Sequence, residues 1–178
     1  QIYRDVVADP KKYGPQATQI VQQARAADEP EAVVHALRAQ AWFERSHLGN
    51  ERAKTLLDDA ARIARRHGFD HLAMQCLVLL GVIAGTSGDL RTMRVVSTEA
   101  LAAVSDHGWG SSTWSAAASA MLGYAALLRS DAHEAGSLSA DALAQGPVVL
   151  SPPLRFSLRT VRGAAAFAKP AGEPDARP

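Results

Sequence analysis

Arginines carry the most suggestive spacing in this chain. Arg155, Arg159 and Arg162 stand at i, i+4 and i+7, which on a helix sets three guanidinium groups along one face. The guanidinium fork binds carboxylate and phosphate bidentately, so such a stripe suits an anion. It suits equally a solvated helix surface, or contact with a further repeat. Leu154, Leu158, Val161 and Ala165 form the complementary stripe that would be buried. Arg38, Trp42 and Arg45 show the same spacing with an aromatic ring between two cations. That arrangement fits an anionic or extended peptide ligand, although a core tryptophan with snorkelling neighbours would read alike. Tyr124 follows Gly123 as Trp42 follows Ala41, and Gln75 stands on the intervening repeat. These residues are candidates for a partner- or effector-binding face.

Other chemistries find no footing. His67 and His71 are four apart and His107 could approach them, but Gly68 interrupts any helix that would fix the first two as zinc ligands. Cys76 lies in the run Ala-Met-Gln-Cys-Leu-Val-Leu-Leu, which reads as a buried, inert thiol with no base or helix start to activate it. Ser111, Ser112, Thr113 and Ser115 read as helix caps rather than nucleophiles. Asp58 and Asp59 are adjacent, so on a helix they point about 100° apart and would not share a substrate. A Gly-rich phosphate loop ending in Lys-Ser or Lys-Thr does not occur. The expectation is a binding protein that is not an enzyme, with no cofactor and no metal.

The bulk composition agrees. Aromatic residues make up only 6% of the chain and its hydrophobic share is mostly Ala and Leu, favouring closely packed helices over a sheet. A formal net charge of +1 supplies no field for nucleic acid or membrane. A single cysteine forms no internal disulfide, which points to a cytoplasmic home. No apolar run is long enough to span a bilayer. The amino terminus, Gln-Ile-Tyr-Arg-Asp, has neither a signal-peptide pattern nor an initiator Met, and suggests an excised or processed piece.

What would position the candidate residues is a repeat. Leu80-Gly81 recurs as Leu122-Gly123, and Ala100-Leu101 as Ala142-Leu143, both 42 residues on. The turns Gly88-Asp89-Leu90 and Ser130-Asp131-Ala132 keep the same spacing. Ala53 and Ala60 precede Met93 and Ala100 by 40, as His67-Gly68-Phe69 precedes His107-Gly108-Trp109. Each period reads as two helices: 31–47 with 51–67, 70–86 with 90–106, and 111–129 with 131–144. Pro152-Pro153 opens a further one over 152–168. Upstream, Pro15 to Ala27 reads as a second-type helix whose partner is the short Ile2–Ala8 segment. Breaks are expected near Gly49, Gly68, Gly88, Gly108 and Ser130. Ala60, Ala100 and Ala142 are expected at helix contacts, and Gly81 and Gly123 at the closest approach within a pair. Residues 1–168 thus read as one helical-repeat domain of about three and a half pairs, with 169–178 as a proline-rich tail or linker.

Leu-Gly, then Gly-Asp at the turn, then Ala, as at Leu80, Gly81, Gly88, Asp89 and Ala100, resembles the tetratricopeptide repeat. Leu122, Gly123, Asp131, Ala135 and Ala142 repeat the pattern. The period exceeds the usual 34 residues of that family. The longer version, with Ala64-Arg65-Arg66-His67-Gly68-Phe69 and His107-Gly108-Trp109, resembles the repeat region of large MalT-like LuxR-family transcriptional regulators over roughly residues 15–168. The resemblance implies a right-handed superhelix whose concave face binds a protein or effector. It implies a role in signal sensing and transcription regulation without direct DNA contact from this segment. A stand-alone scaffold for protein–protein interaction, self-association included, is the alternative.

Overall fold

The computed structural model describes residues 9–47, 49–109, 112–144 and 152–168. These form eight helices: α1 Pro10–Ala26, α2 Pro30–His47, α3 Asn50–Arg66, α4 Asp70–Thr86, α5 Leu90–Asp106, α6 Thr113–Leu128, α7 Ala132–Ala144 and α8 Pro152–Ala168. No strand occurs among the described residues. The chain is an all-α helical repeat. The expected Ile2–Ala8 segment, the loop 146–151, Ser111 and the tail 169–178 lie outside the described residues.

Local chemistry sets the helix ends. After α3, Gly68 takes φ +71°, Phe69 N–H donates to the Ala64 carbonyl at 2.9 Å and Gly68 N–H to that of Arg65 at 3.2 Å. This double bond pattern satisfies carbonyls that the helix leaves open. The same pattern closes α4 at Gly88, α5 at Gly108, α6 at Ser130 and α1 at Asp28. Ser130 and Asp28 adopt the left-handed conformation without being glycine, at φ 63° and 54°. Starts are equally explicit. Asp89 Oδ1 accepts from Thr92 N–H at 3.1 Å, Asp131 Oδ1 from Glu134 N–H at 2.9 Å, and Ser112 forms a capping box with Ser115.

One boundary differs from expectation. The first helix begins at Pro10, capped by the Asp9 carboxylate on Lys12 N–H at 3.2 Å, so Pro15 lies inside it. Two prolines compete for the first helical position, and the one with an Asp before it holds that place. Pro15 omits a single helical hydrogen bond in return.

Two compact units divide between Ala103 and Val104, within α5. In the first, α2 packs against α1, α3 and α4, and α3 against α4. Its core joins Val21, Val34, Leu37, Ala60, Ala64 and Cys76. Each large side chain such as Leu37, buried to 1% exposure, contributes about 1.5–3 kcal/mol. Ion pairs tie α3 to α5 as well, through Lys54–Asp89 at 3.3 Å and Arg65–Glu99. In the second unit α6, α7 and α8 pack on one another around Ala116, Ala142 and Leu158 at one level and Ala126, Ala135 and Val161 at another.

Small residues sit where these helices touch. Ala60, Ala100 and Ala142 are all fully buried. A β-carbon placed on Gly123 would meet the Ala135 carbonyl oxygen of α7 at 3.5 Å and Val161 Cγ1 of α8 at 3.0 Å. Gly123 therefore marks a close approach within its pair. In the α4–α5 pair a comparable approach occurs at Gly85, where such a β-carbon would lie 2.7 Å from Met93 Sδ. Gly81, the expected position, is buried one turn earlier.

Candidate functional site

Helix α2 brings one of the arginine stripes together. Glu31, His35, Arg38, Trp42 and Arg45 follow one another at three- and four-residue steps, so they share a face. His35 Nε2 stands 3.9 Å from Glu31 Oε1. The Arg45 guanidinium lies over the Trp42 ring, 4.1 Å from its centroid, a cation–π contact of about 0.5–2 kcal/mol. Trp42 is half-buried and its ring also packs on Ala17 of α1 and Ala39. The ring is thus a platform that holds Arg45 in place, neither sealed in the core nor bare to solvent. Arg45 is itself half-buried, and its Nε is enclosed with no hydrogen-bond partner among the described residues. A buried unsatisfied donor costs about 1–3 kcal/mol, so the fold supports a cation whose hydrogen bonding it does not complete.

Arg38 lies deeper than its spacing suggests, at 2% exposure. Its charge reaches neighbouring groups from there. His35 is held below the ordinary histidine value, first by burial and then by Arg38, with Glu31 opposing. Burial pushes the Cys76 thiol up to about 12 although Arg38 and Arg65 pull the other way. That leaves Cys76 protonated and without nucleophilic character at neutral pH.

The next face of α2 buries a carboxylate. Glu44 is 3% exposed. Its Oε1 takes Arg52 Nε of α3 at 3.1 Å and Gln40 Nε2 at 3.5 Å. Its Oε2 is buried with no hydrogen-bond partner among the described residues.

Register with the later repeats sharpens the contrast. Forty residues on, Arg38, Gln40 and Glu44 correspond to Val78, Leu80 and Ala84, all buried. Forty-two beyond those, Arg38 and Glu44 correspond to buried Ala120 and Ala126. Among the described residues only α2 carries Arg or Glu side chains at these depths.

The remaining candidates are dispersed. Gln75 is buried on α4, its amide Nε2 donating to His71 Nδ1 at 3.0 Å. Tyr124, 46% exposed, belongs to the second unit. So do Arg159 and Arg162, both exposed on α8; Arg155 lies on the same helix.

The histidines of the turns have structural roles. His67 stacks on Phe69 with centroids 6.0 Å apart, and His107 on Trp109 at 4.4 Å. The left-handed Gly between each pair folds residue i onto residue i+2, which accounts for the repeated His-Gly-aromatic motif. Among the described residues no three His, Cys, Asp or Glu side chains gather as a metal site. Asp59 pairs with Arg62 at 2.5 Å. Asp58 is held above the usual carboxylate range by partial burial and by Asp59 beside it.

Sequence reasoning missed one feature. At the α1–α2 turn an open cleft of about 570 Å³ is lined by Asp28, Glu29, Glu31, His35 and Phe69. Its signal was three carboxylates within four residues around Pro30. The cleft needed Phe69, brought from the α3–α4 turn, to acquire a floor. Acidic at this end and cationic toward Arg45, the α2 stripe carries a gradient of charge along its length.

No model of a known protein family matches the chain, and no curated protein matches it. No helix among the described residues is long and apolar enough to cross a membrane.

Proposed function

We propose that this chain is a non-catalytic, tetratricopeptide-like sensor domain of a bacterial transcriptional regulator of the MalT-like LuxR kind. Its α2 face would engage an acidic protein segment or an anionic effector. One observation carries the binding reading: the Arg45 guanidinium ordered over Trp42, with Arg38 in the same stripe, at a place in the repeat where α4 and α6 use apolar residues. A cation held by an aromatic platform loses little side-chain entropy on meeting a carboxylate. The regulator reading draws support from the Leu-Gly, Gly-Asp and His-Gly-aromatic pattern of the repeats, and DNA contact would then fall to another domain. A small net charge supports that division of labour, because duplex affinity depends mainly on phosphate neutralisation.

The test is titration of the whole chain with a glutamate-rich peptide and with its glutamine counterpart, followed by tryptophan fluorescence and calorimetry. The glutamate peptide should bind and the glutamine one should not. Arg45→Gln should weaken binding about 10- to 100-fold, the scale of one charge-assisted hydrogen bond. Equal binding of both peptides, or an unchanged affinity in Arg45→Gln, would remove α2 as the site.

A further inference from the structure

The turn that leads into α2 departs from the pattern that the later repeats follow. At a spacing of 40 residues, Ala27-Asp28-Glu29 stands where the next two turns carry His67-Gly68-Phe69 and His107-Gly108-Trp109. Those turns close with a glycine in the left-handed position and a histidine ring stacked on the aromatic two residues on. Here Asp28 takes the left-handed place, at φ 54°, and Glu29 the place of the aromatic. Glu31 follows in the first turn of α2, where the helix dipole favours an anion. The dipole accounts for carboxylates at this end of the helix. It does not account for the cleft of about 570 Å³ that they line.

The lining of that cleft selects a cation. Asp28, Glu29 and Glu31 belong to it, and no lysine or arginine does. Among the described residues neither Asp28 nor Glu29 forms an ion pair. Glu31 has His35 at 3.9 Å, but burial and Arg38 hold that imidazole below its ordinary value. At neutral pH His35 is therefore uncharged, and the three carboxylates are left uncompensated. Phe69, half-buried, adds an aromatic wall. A ring face among carboxylates suits an alkylammonium or guanidinium group, whose charge meets both and whose methylene stem packs on the ring. The volume lies within the range of about 300–1,000 Å³ that ligand clefts occupy.

The cleft runs into the α2 stripe, because Glu31 and His35 belong to both. Trp42 and Arg45 stand eleven and fourteen residues beyond Glu31, about 16–21 Å along the helix axis. At that far end Arg45 lies over the Trp42 ring, with an enclosed Nε that has no hydrogen-bond partner among the described residues. An extended chain advances about 3.3 Å per residue, so five or six residues reach from one end to the other. A segment with carboxylates throughout would set acid against acid at the cleft.

We propose, on the footing that the α2 face is the anion site, that the cleft takes the side chain of a lysine or arginine on the same extended segment whose carboxylate Arg45 holds. The recognised segment is then zwitterionic, with a basic and an acidic residue five or six positions apart. Charge spacing along the segment, rather than its net charge, sets the affinity.

The test uses the whole chain and end-blocked, serine-filled peptides, with calorimetry as the readout. One peptide carries lysine and glutamate five positions apart, a second carries the same two residues side by side, and a third has glutamine in place of the lysine. The spaced peptide should bind at least about tenfold more tightly than either, the scale of one charge-assisted hydrogen bond. Asp28→Asn, Glu29→Gln and Glu31→Gln together should erase its advantage over the glutamine peptide, whose own affinity should hold or rise. Asparagine tolerates the left-handed conformation, and circular dichroism checks that this variant keeps its helices. Butylammonium offers the same headgroup without a segment, and should bind at least about tenfold more weakly than the spaced peptide. Equal binding of the spaced peptide and either comparison peptide overturns the proposal while leaving the α2 anion site intact, as does a lysine advantage that survives the triple variant. Butylammonium as tight as the spaced peptide also overturns it, because the cleft would then be a small-amine site. If the glutamine peptide binds the parent and Arg45→Gln alike, the α2 anion site fails and the zwitterionic segment falls with it.

Discussion

In α4 the run Ala73–Gly81 is buried residue after residue and, Gln75 aside, is apolar throughout. Helix α2 takes Arg38, Gln40 and Glu44 to the same depth one repeat earlier. Apolar residues evidently satisfy this position, since two later repeats use them. Polar and charged side chains there add a desolvation cost that packing does not require. The difference therefore separates two demands on one repeat. Helix α4 is built to hold its neighbours, and α2 gives up some of that to hold charges in a fixed place.

The largest effect should come from imposing the α2 pattern on α4. Val78→Arg buries a cation with no prepared partner and should destabilise the chain by about 3–5 kcal/mol. Urea unfolding measures it, and a loss below about 1 kcal/mol would mean the position tolerates charge wherever it occurs. The reverse change, Arg38→Val with Glu44→Ala, writes the α4 residues into α2. It should leave stability unchanged or raise it by about 1–4 kcal/mol. A marked loss of stability would instead make the charges structural.

Gly123→Leu tests the glycine that is pressed between helices of the second unit. Leucine there must displace Val161 and the Ala135 backbone, at about 1–3 kcal/mol despite better helix propensity. A raised melting temperature would show that α6, α7 and α8 separate easily.

Ser130→Gly should stabilise by about 0.5–1 kcal/mol, because relief of left-handed strain exceeds the added freedom of the unfolded glycine. No gain in thermal unfolding would place the strain elsewhere.

The smallest effect is a pH dependence. His35 titrates below its ordinary value in the fold, so the unfolded chain binds that proton more readily. Stability from this group is complete above the ordinary value of about 6.5 and falls as pH drops through it. Urea midpoints at about pH 8 and about pH 5.5 should differ less in His35→Gln than in the parent. An identical slope in both would assign the dependence to other groups.

Much of this molecule was legible from residue order. Helix boundaries depend on contacts within four residues, which a linear reading contains. Asp70–Thr86, Leu90–Asp106 and Pro152–Ala168 accordingly fall where periodicity and caps put them. The breaks at Gly68, Gly88, Gly108 and Ser130 follow from the same local rules, and Ala60, Ala100 and Ala142, expected at helix contacts from the repeat spacing, are buried. Asp28 escaped notice because its left-handed turn has no glycine to announce it.

Depth and adjacency were settled only by tertiary packing. Arg38 and Arg45 sit on one stripe and read identically, yet one is buried and the other lies half-exposed over a ring. Gly123 and Gly163 share a register, yet one is pressed between two helices and the other faces open space. Side-chain environment is the sum of what other helices bring, from positions distant in sequence. Periodicity says which residues share a face, and only the arrangement of the neighbours says whether anything covers it.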